Sequence, residues 1–260
     1  MSGLKEGAVL KTVTMLLGAL FFNASYAINP LCYETANGYG PFDYTSSDVR
    51  ENKLPIVERF HFTPDVENLI RGQSSSVNGD LNYTLRASPN HHRALIAMMN
   101  YKLRHPANPN STDAMECYLT RAITFAPKDA TVRLIAGIYY QRLGKLDAAL
   151  EQMDAAHTLD ATSANIAYNL GLLYFDKKDL DKAEQYAKQA YDAGFPLKGL
   201  RQKLVKAGRL KNYTPPEPEK AKPAEKAEAP TEKPVEAPPE AKPPAAKFSP
   251  LPPVTPPEQP

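Results

Sequence analysis

The chain has no tryptophan, and it has only two cysteines and five histidines in 260 residues. Two cysteines cannot make a four-thiolate zinc site or the dense disulfide framework of a small secreted scaffold. The histidines offer little to a metal. His91 and His92 are adjacent, so on a helix they diverge by about 100°. His61, His105 and His157 are scattered, with no second His or Cys at ligand spacing. There is no His-Glu-x-x-His, no Gly-x-Ser-x-Gly and no phosphate-cradling glycine loop. These absences point away from an enzyme, and no cofactor is expected. An excess of one charge is missing too: 31 basic and 29 acidic residues leave a net charge of +2. Such a balance lacks the electrostatic footprint of a nucleic-acid binder.

At the N-terminus, Lys5 and Lys11 precede an apolar run from Val13 to Phe22, and Ser25-Tyr26-Ala27 places small residues where a signal peptidase cuts. The run is shorter than the roughly 20 apolar residues that cross a bilayer. It reads as a secretory signal peptide, residues 1–27, cleaved after Ala27, so that no stable membrane span remains after cleavage.

At the other end, residues 211–260 turn into Pro, Ala, Lys and Glu, with few large apolar side chains before Phe248. Ordering entropy there has no burial to oppose it, so a disordered tail with polyproline II character is expected. At about 3.1 Å per residue it would reach on the order of 100 Å. The segment Phe248 to Val254 is more apolar than the rest and reads either as a docking motif for a second partner or as solvated spacer.

Between these ends the chain repeats itself. Gly137 and Gly171, Tyr140 and Tyr174, Leu146 and Leu180, Ala149 and Ala183, and Ala156 and Ala190 are each 34 residues apart. Apolar periodicity predicts helices over Asp129 to Leu143, Leu146 to His157, Ser163 to Lys177 and Leu180 to Ala193. Upstream, Asn90 to Leu103 and Ser111 to Ala126 form an irregular pair with an insertion near His105 to Asn110. Leu197 to Ala207 suits a capping helix. The carboxylates Asp179 and Asp181 stand at a helix start, where capping and the helix dipole account for them.

This pattern resembles the tetratricopeptide repeat family: Ala136-Gly137, Tyr140, Gly144, Ala149 and Ala156 match one unit, and Asn169-Leu170-Gly171, Tyr174, Ala183 and Ala190 match the next. Lys178 stands where the turn glycine is usual. The resemblance covers residues 90 to 196 and implies an all-α solenoid of helical hairpins. The whole chain then divides into the signal peptide, an irregular aromatic-rich arm with short helices (28–88), the repeat domain (89–210) and the tail (211–260). By family register, a peptide-binding groove is lined by Thr131, Leu134, Ile138, Gln141 and Arg142, then by Asn165, Tyr168, Leu172, Phe175 and Asp176. Alternatively, Leu134, Leu172 and Phe175 fill the layer between helices and Arg142 is solvated. Gly137 and Gly171, facing Ala149 and Ala183, are expected to let paired helices approach closely.

In the arm, Tyr33, Tyr39, Phe42 and Tyr44 cluster around Gly38, Gly40 and Pro41, which reads as an aromatic loop. It either packs over the first hairpin or binds a ligand. Pro64 to Arg71 reads as a short helix capped by Thr63. An exported chain meets an oxidising compartment, so Cys32 and Cys117 are either bridged or free thiols. A bridge would contribute roughly 4 kcal/mol. Cys117 shares a stripe with Thr120, Arg121 and Thr124, opposite the apolar face, and is expected to be accessible.

Taken together, these features describe an exported, non-catalytic adaptor or scaffold in the periplasm of a Gram-negative bacterium. It would hold a protein or peptide in its groove and assist assembly of an envelope complex. Two other readings remain open: a binding module for a cell-wall glycan or peptide through the Tyr-rich arm, or a self-associating structural subunit.

Overall fold

The computed structural model describes Cys32, residues 39–108 and 111–214, and Pro216. The expected signal peptide, Tyr33, Gly38 and nearly all of the Pro-rich tail lie outside the described residues. Among those described there are helices and no strand: α1 (Ser47–Asn52), α2 (Leu54–His61), α3 (Pro64–Glu67), α4 (Val77–Ala87), α5 (His92–Arg104), α6 (Met115–Phe125), α7 (Ala130–Arg142), α8 (Leu146–Leu159), α9 (Ala164–Asp176), α10 (Leu180–Asp192) and α11 (Gly199–Lys206). The protein is therefore all-α over this range. No described helix is long and apolar enough to cross a membrane.

Local chemistry sets the ends of the later helices. The Asp129 side chain accepts from the backbone N–H groups of Thr131 and Val132 at the start of α7, Ser163 accepts from Ile166 at α9, and Asp179 accepts from Lys182 at α10. Each satisfies a donor that the first turn would otherwise leave open. The turn after α7 closes at Gly144 with φ +72°, and the equivalent turn after α9 closes at Lys178 with φ +67°. The conformation is the same in both turns, so Lys178 bears the steric cost that Gly144 avoids. Thr63 does precede α3, but its side chain makes no capping bond and its hydroxyl is buried without a partner.

α4 lies in the segment expected to be an irregular arm with short helices. Its first turns, Val77-Asn78-Gly79-Asp80, have poor helix propensity. Tertiary burial holds them instead, since Asp80, Leu81, Thr84 and Leu85 are all buried. One core runs from Phe62 and Val66 through Leu81, Leu85, Leu95 and Met98 to Leu119, Val132 and Ile135, crossing residue 88 without a break. A second core joins Leu134, Ala149, Met153, Leu170, Leu173, Ala183, Ala187, Leu200 and Leu204. Ile138 and Tyr140 pack against both.

α7 lies along α8 and α9 along α10, each pair joined by a turn too short for anything but an antiparallel arrangement. A Cβ on Gly137 would stand 2.4 Å from Met153 Cγ and 3.2 Å from the Ala149 carbonyl oxygen; on Gly171 it would stand 2.5 Å from Leu200 Cδ2 and 3.3 Å from the Ala183 oxygen. Hydrogen at these positions is what allows the helices their separation. The odd-numbered helices also touch one another directly: α5 meets α7, α7 meets α9, and α9 meets α11.

Candidate functional site

The residues expected to line a groove fall on α7 and α9, and the structure divides them. Leu134 and Tyr168 are buried, at 3% and 7% exposure, and belong to the second core. Leu134 thus follows the alternative reading and fills the layer between helices, and the expectation that Tyr168 faces a ligand is corrected. Tyr168 is covered because α11 docks there: its hydroxyl accepts from the backbone N–H of Leu200 at 3.3 Å, and its ring packs on Phe195 with centroids 4.4 Å apart. Ile138, Leu172 and Phe175 are half-buried against the cores, and Thr131 is half-buried too. Asn165 is exposed, with its side-chain and backbone oxygens accepting from Asn169.

The polar members join neighbouring helices. Arg142 donates to Asn100 Oδ1 on α5 at 2.6 Å, and Gln141 donates to Asp176 Oδ2 on α9 at 2.7 Å. Asp176 in turn lies 3.9 Å from Lys203 Nζ on α11, and that ammonium sits 5.4 Å from the Phe175 ring centroid. The result is a polar row across α5, α7, α9 and α11, beside the half-buried apolar side chains. Ile96, one helical turn before Asn100 and 43% exposed, extends the apolar part onto α5.

The arm holds a second polar assembly. His61, His91 and His92 each meet a carboxylate distant in sequence, namely Asp80, Glu58 and Asp129. These partners are 19, 33 and 37 residues away, so ligand-type spacing along the chain could not reveal them. Among the described residues no three such groups are placed to hold a metal. Asn90, fully buried, connects the arm to the repeats: it accepts from the Tyr44 N–H at 2.9 Å and donates to Asp43 and to Asp129, the residue that caps α7. The aromatic loop is thus clamped onto the α4–α5 turn, where Phe42 N–H also bonds the Ala87 carbonyl and Ser88 Oγ the Phe42 carbonyl.

The electrostatics follow from burial and pairing. His91 is fully buried; its Nδ1 accepts from the Ala94 N–H that opens α5, so Nε2 carries the proton and donates to Glu58 at 2.9 Å. Burial pushes the His91 pKa down, and the hydrogen bond from His91 holds Glu58 below the usual glutamate range. Asp80 is fully buried. Burial alone would raise its pKa, but hydrogen bonds from His61 and from the N–H groups of Gln73, Ser74 and Ser75 outweigh it and hold the carboxyl low.

Cys32 and Cys117 are joined in a disulfide, with their Cα atoms 4.9 Å apart. Cys117 is only 1% exposed, which corrects the expectation of accessibility. Cys117 is buried at its bridge to Cys32, itself 4% exposed, while Thr124 on the same stripe stays exposed. Beside the arm an open cavity of about 350 Å³ is lined by Tyr39, Ile56, Val57, Phe60, His61, Ser74 and Tyr83. No protein-family model matches the chain, and no curated protein matches it significantly.

Proposed function

We propose that the protein is an exported, non-catalytic adaptor of tetratricopeptide-like build, acting in the periplasm, and that it binds a protein or peptide across α5, α7, α9 and α11. The observation that carries this reading is the direct contact of the odd-numbered helices with one another. Packing of that kind gathers the first helix of each hairpin into one continuous layer, the inner surface of a helical-hairpin solenoid. The 34-residue recurrence of Gly137 and Gly171 at close helix contacts supports the same build.

The layer offers a mixed surface. Ile96, Ile138, Leu172 and Phe175 supply apolar area, while Asn165, Thr131 and the row from Asn100 to Lys203 supply donors and acceptors. A helical or extended peptide needs both, with apolar anchors for affinity and polar contacts for register. The Pro-rich tail is a candidate for reaching a second component, in keeping with a factor that assists assembly of an envelope complex.

Site-specific photo-cross-linking in envelope preparations tests the reading. A cross-linker at exposed Asn165 on α9 or Ile96 on α5 is expected to trap a protein partner, while one at exposed Glu151 on α8 is not. An Arg142→Glu, Phe175→Ala double variant, shown to melt like wild type, should lose the product. Equal trapping from Glu151, or none from either inner position, would remove the basis for the proposal.

A further inference from the structure

The cavity in the arm is independent of the inner helical layer, since its walls come from α2, α4 and the loops holding Tyr39 and Ser74. Three of its features point to a ligand. First, its walls are aromatic and left open: Ile56 and Phe60, one turn apart on α2, are 50% and 45% exposed, and Tyr39 and Tyr83 complete the lining. Second, the polar groups inside are prepared rather than idle. His61 stacks on Tyr83 with centroids 3.7 Å apart, and its Nδ1 lies 3.0 Å from Asp80 Oδ1. A carboxylate only accepts, so Nδ1 carries the proton, and in that tautomer Nε2 is the ring's acceptor. Asp80 cannot serve a ligand itself, because His61, the Ser75 hydroxyl and the loop N–H groups occupy its oxygens. Ser74 Oγ donates its proton to the Phe60 carbonyl at 2.6 Å, which leaves its oxygen free to accept.

Third, the surroundings are cationic. Arg59 stands 5.4 Å from the Phe60 ring centroid and Arg86 stands 5.9 Å from that of Tyr83. Neither is in an ion pair among the described residues, and the buried Nε of Arg86 has no hydrogen-bond partner. Asp80, which lies behind His61, is already surrounded by donors.

We infer that this cavity is a carbohydrate site that takes a pyranose ring bearing a carboxylate. The C–H face of such a ring lies flat on Phe60 and Tyr39, a ring hydroxyl donates to His61 Nε2, and the carboxylate is met by Arg86 or Arg59. A purely apolar ligand would leave the His61 acceptor buried and unpaired. An extended peptide would find no sheet edge to pair with among the described residues. The volume matches the lower end of small-ligand sites, about 300 Å³, which suits one or two sugar rings.

The test uses the disulfide-intact mature chain, with trigalacturonate and cellotriose as acidic and neutral probes, followed by saturation-transfer NMR and calorimetry. Trigalacturonate is expected to bind more tightly than cellotriose. Phe60→Ala and Ile56→Ser, both at exposed positions, should each weaken it roughly tenfold without moving the melting temperature. An Arg59→Gln, Arg86→Gln double variant should erase the preference for the acidic sugar while leaving the neutral one unchanged, and Ile96→Ala should change neither. Absence of transfer to both sugars, or binding indifferent to Phe60→Ala and Ile56→Ser, would overturn the assignment. Equal affinity for both probes would overturn its charged part.

Discussion

Gly137→Ala separates two opposing effects that the structure allows to be weighed. In a mid-helix position alanine is favoured over glycine by about 1 kcal/mol, because the folded backbone costs less entropy. Against this, the new methyl would stand 2.4 Å from Met153 Cγ and 3.2 Å from both Met153 Cε and the Ala149 carbonyl oxygen. Met153 is fully buried, so its side chain has nowhere to retreat. Overpacking of this kind costs about 1–3 kcal/mol. The two helices must also move apart to relieve the carbonyl contact, so the upper part of that range applies and a net loss of about 1–2 kcal/mol is expected. Gly171→Ala should cost less. There the closest atom is a terminal methyl of Leu200, and the backbone contacts lie at 3.3 and 3.4 Å. Urea denaturation followed by circular dichroism would measure both. A cycle with Met153→Ala adds a control, since removing the obstructing side chain should make the double variant about 1 kcal/mol more stable than the sum of the singles. If Gly137→Ala raises stability by the helix-propensity amount, or adds without coupling to Met153→Ala, the close-approach argument is wrong.

Acid should weaken the joint between arm and repeats. The His91 pKa is lowered in the folded protein, so the unfolded chain takes up its proton first; the associated stability is complete above about pH 6.5 and declines as pH falls below it. Glu58, also lowered, adds a loss that begins near pH 4.5. His91→Asn keeps a good helix cap, and thermal melts should show a flatter decline from pH 6.5 downward; an unchanged slope would refute the assignment. Lys178→Gly should stabilise the protein by up to about 1 kcal/mol, because φ is +67° there, and a lower urea midpoint would count against that reading. Replacing both cysteines by alanine releases a loop of sequence separation 85 and should cost about 4 kcal/mol. The melting temperature should then fall on the order of 10 °C, and no change would mean that the bridge constrains little.

What the sequence determined by itself is the set of helices from α5 to α11. Their apolar period, the caps Asp129, Ser163 and Asp179, and the turn at Gly144 are local signals, and local signals survive without knowledge of neighbours. The full extent of α4 was not legible, because its opening residues are helical only where burial compensates for poor propensity. Side-chain exposure was not legible either. Leu134 and Tyr168 carry the register of a lining surface, yet Tyr168 is closed off by α11 and Leu134 is absorbed by the second core. Cys117 looked exposed because its stripe is polar, and it is buried where it meets Cys32, a partner 85 residues away in sequence. The three histidine–carboxylate pairs and the cavity around His61 join residues from α2, α4, α5, the cap of α7 and the loops holding Tyr39 and Ser74. Helix formation depends on neighbours within four residues, whereas these sites depend on which helices meet. Packing alone decides that.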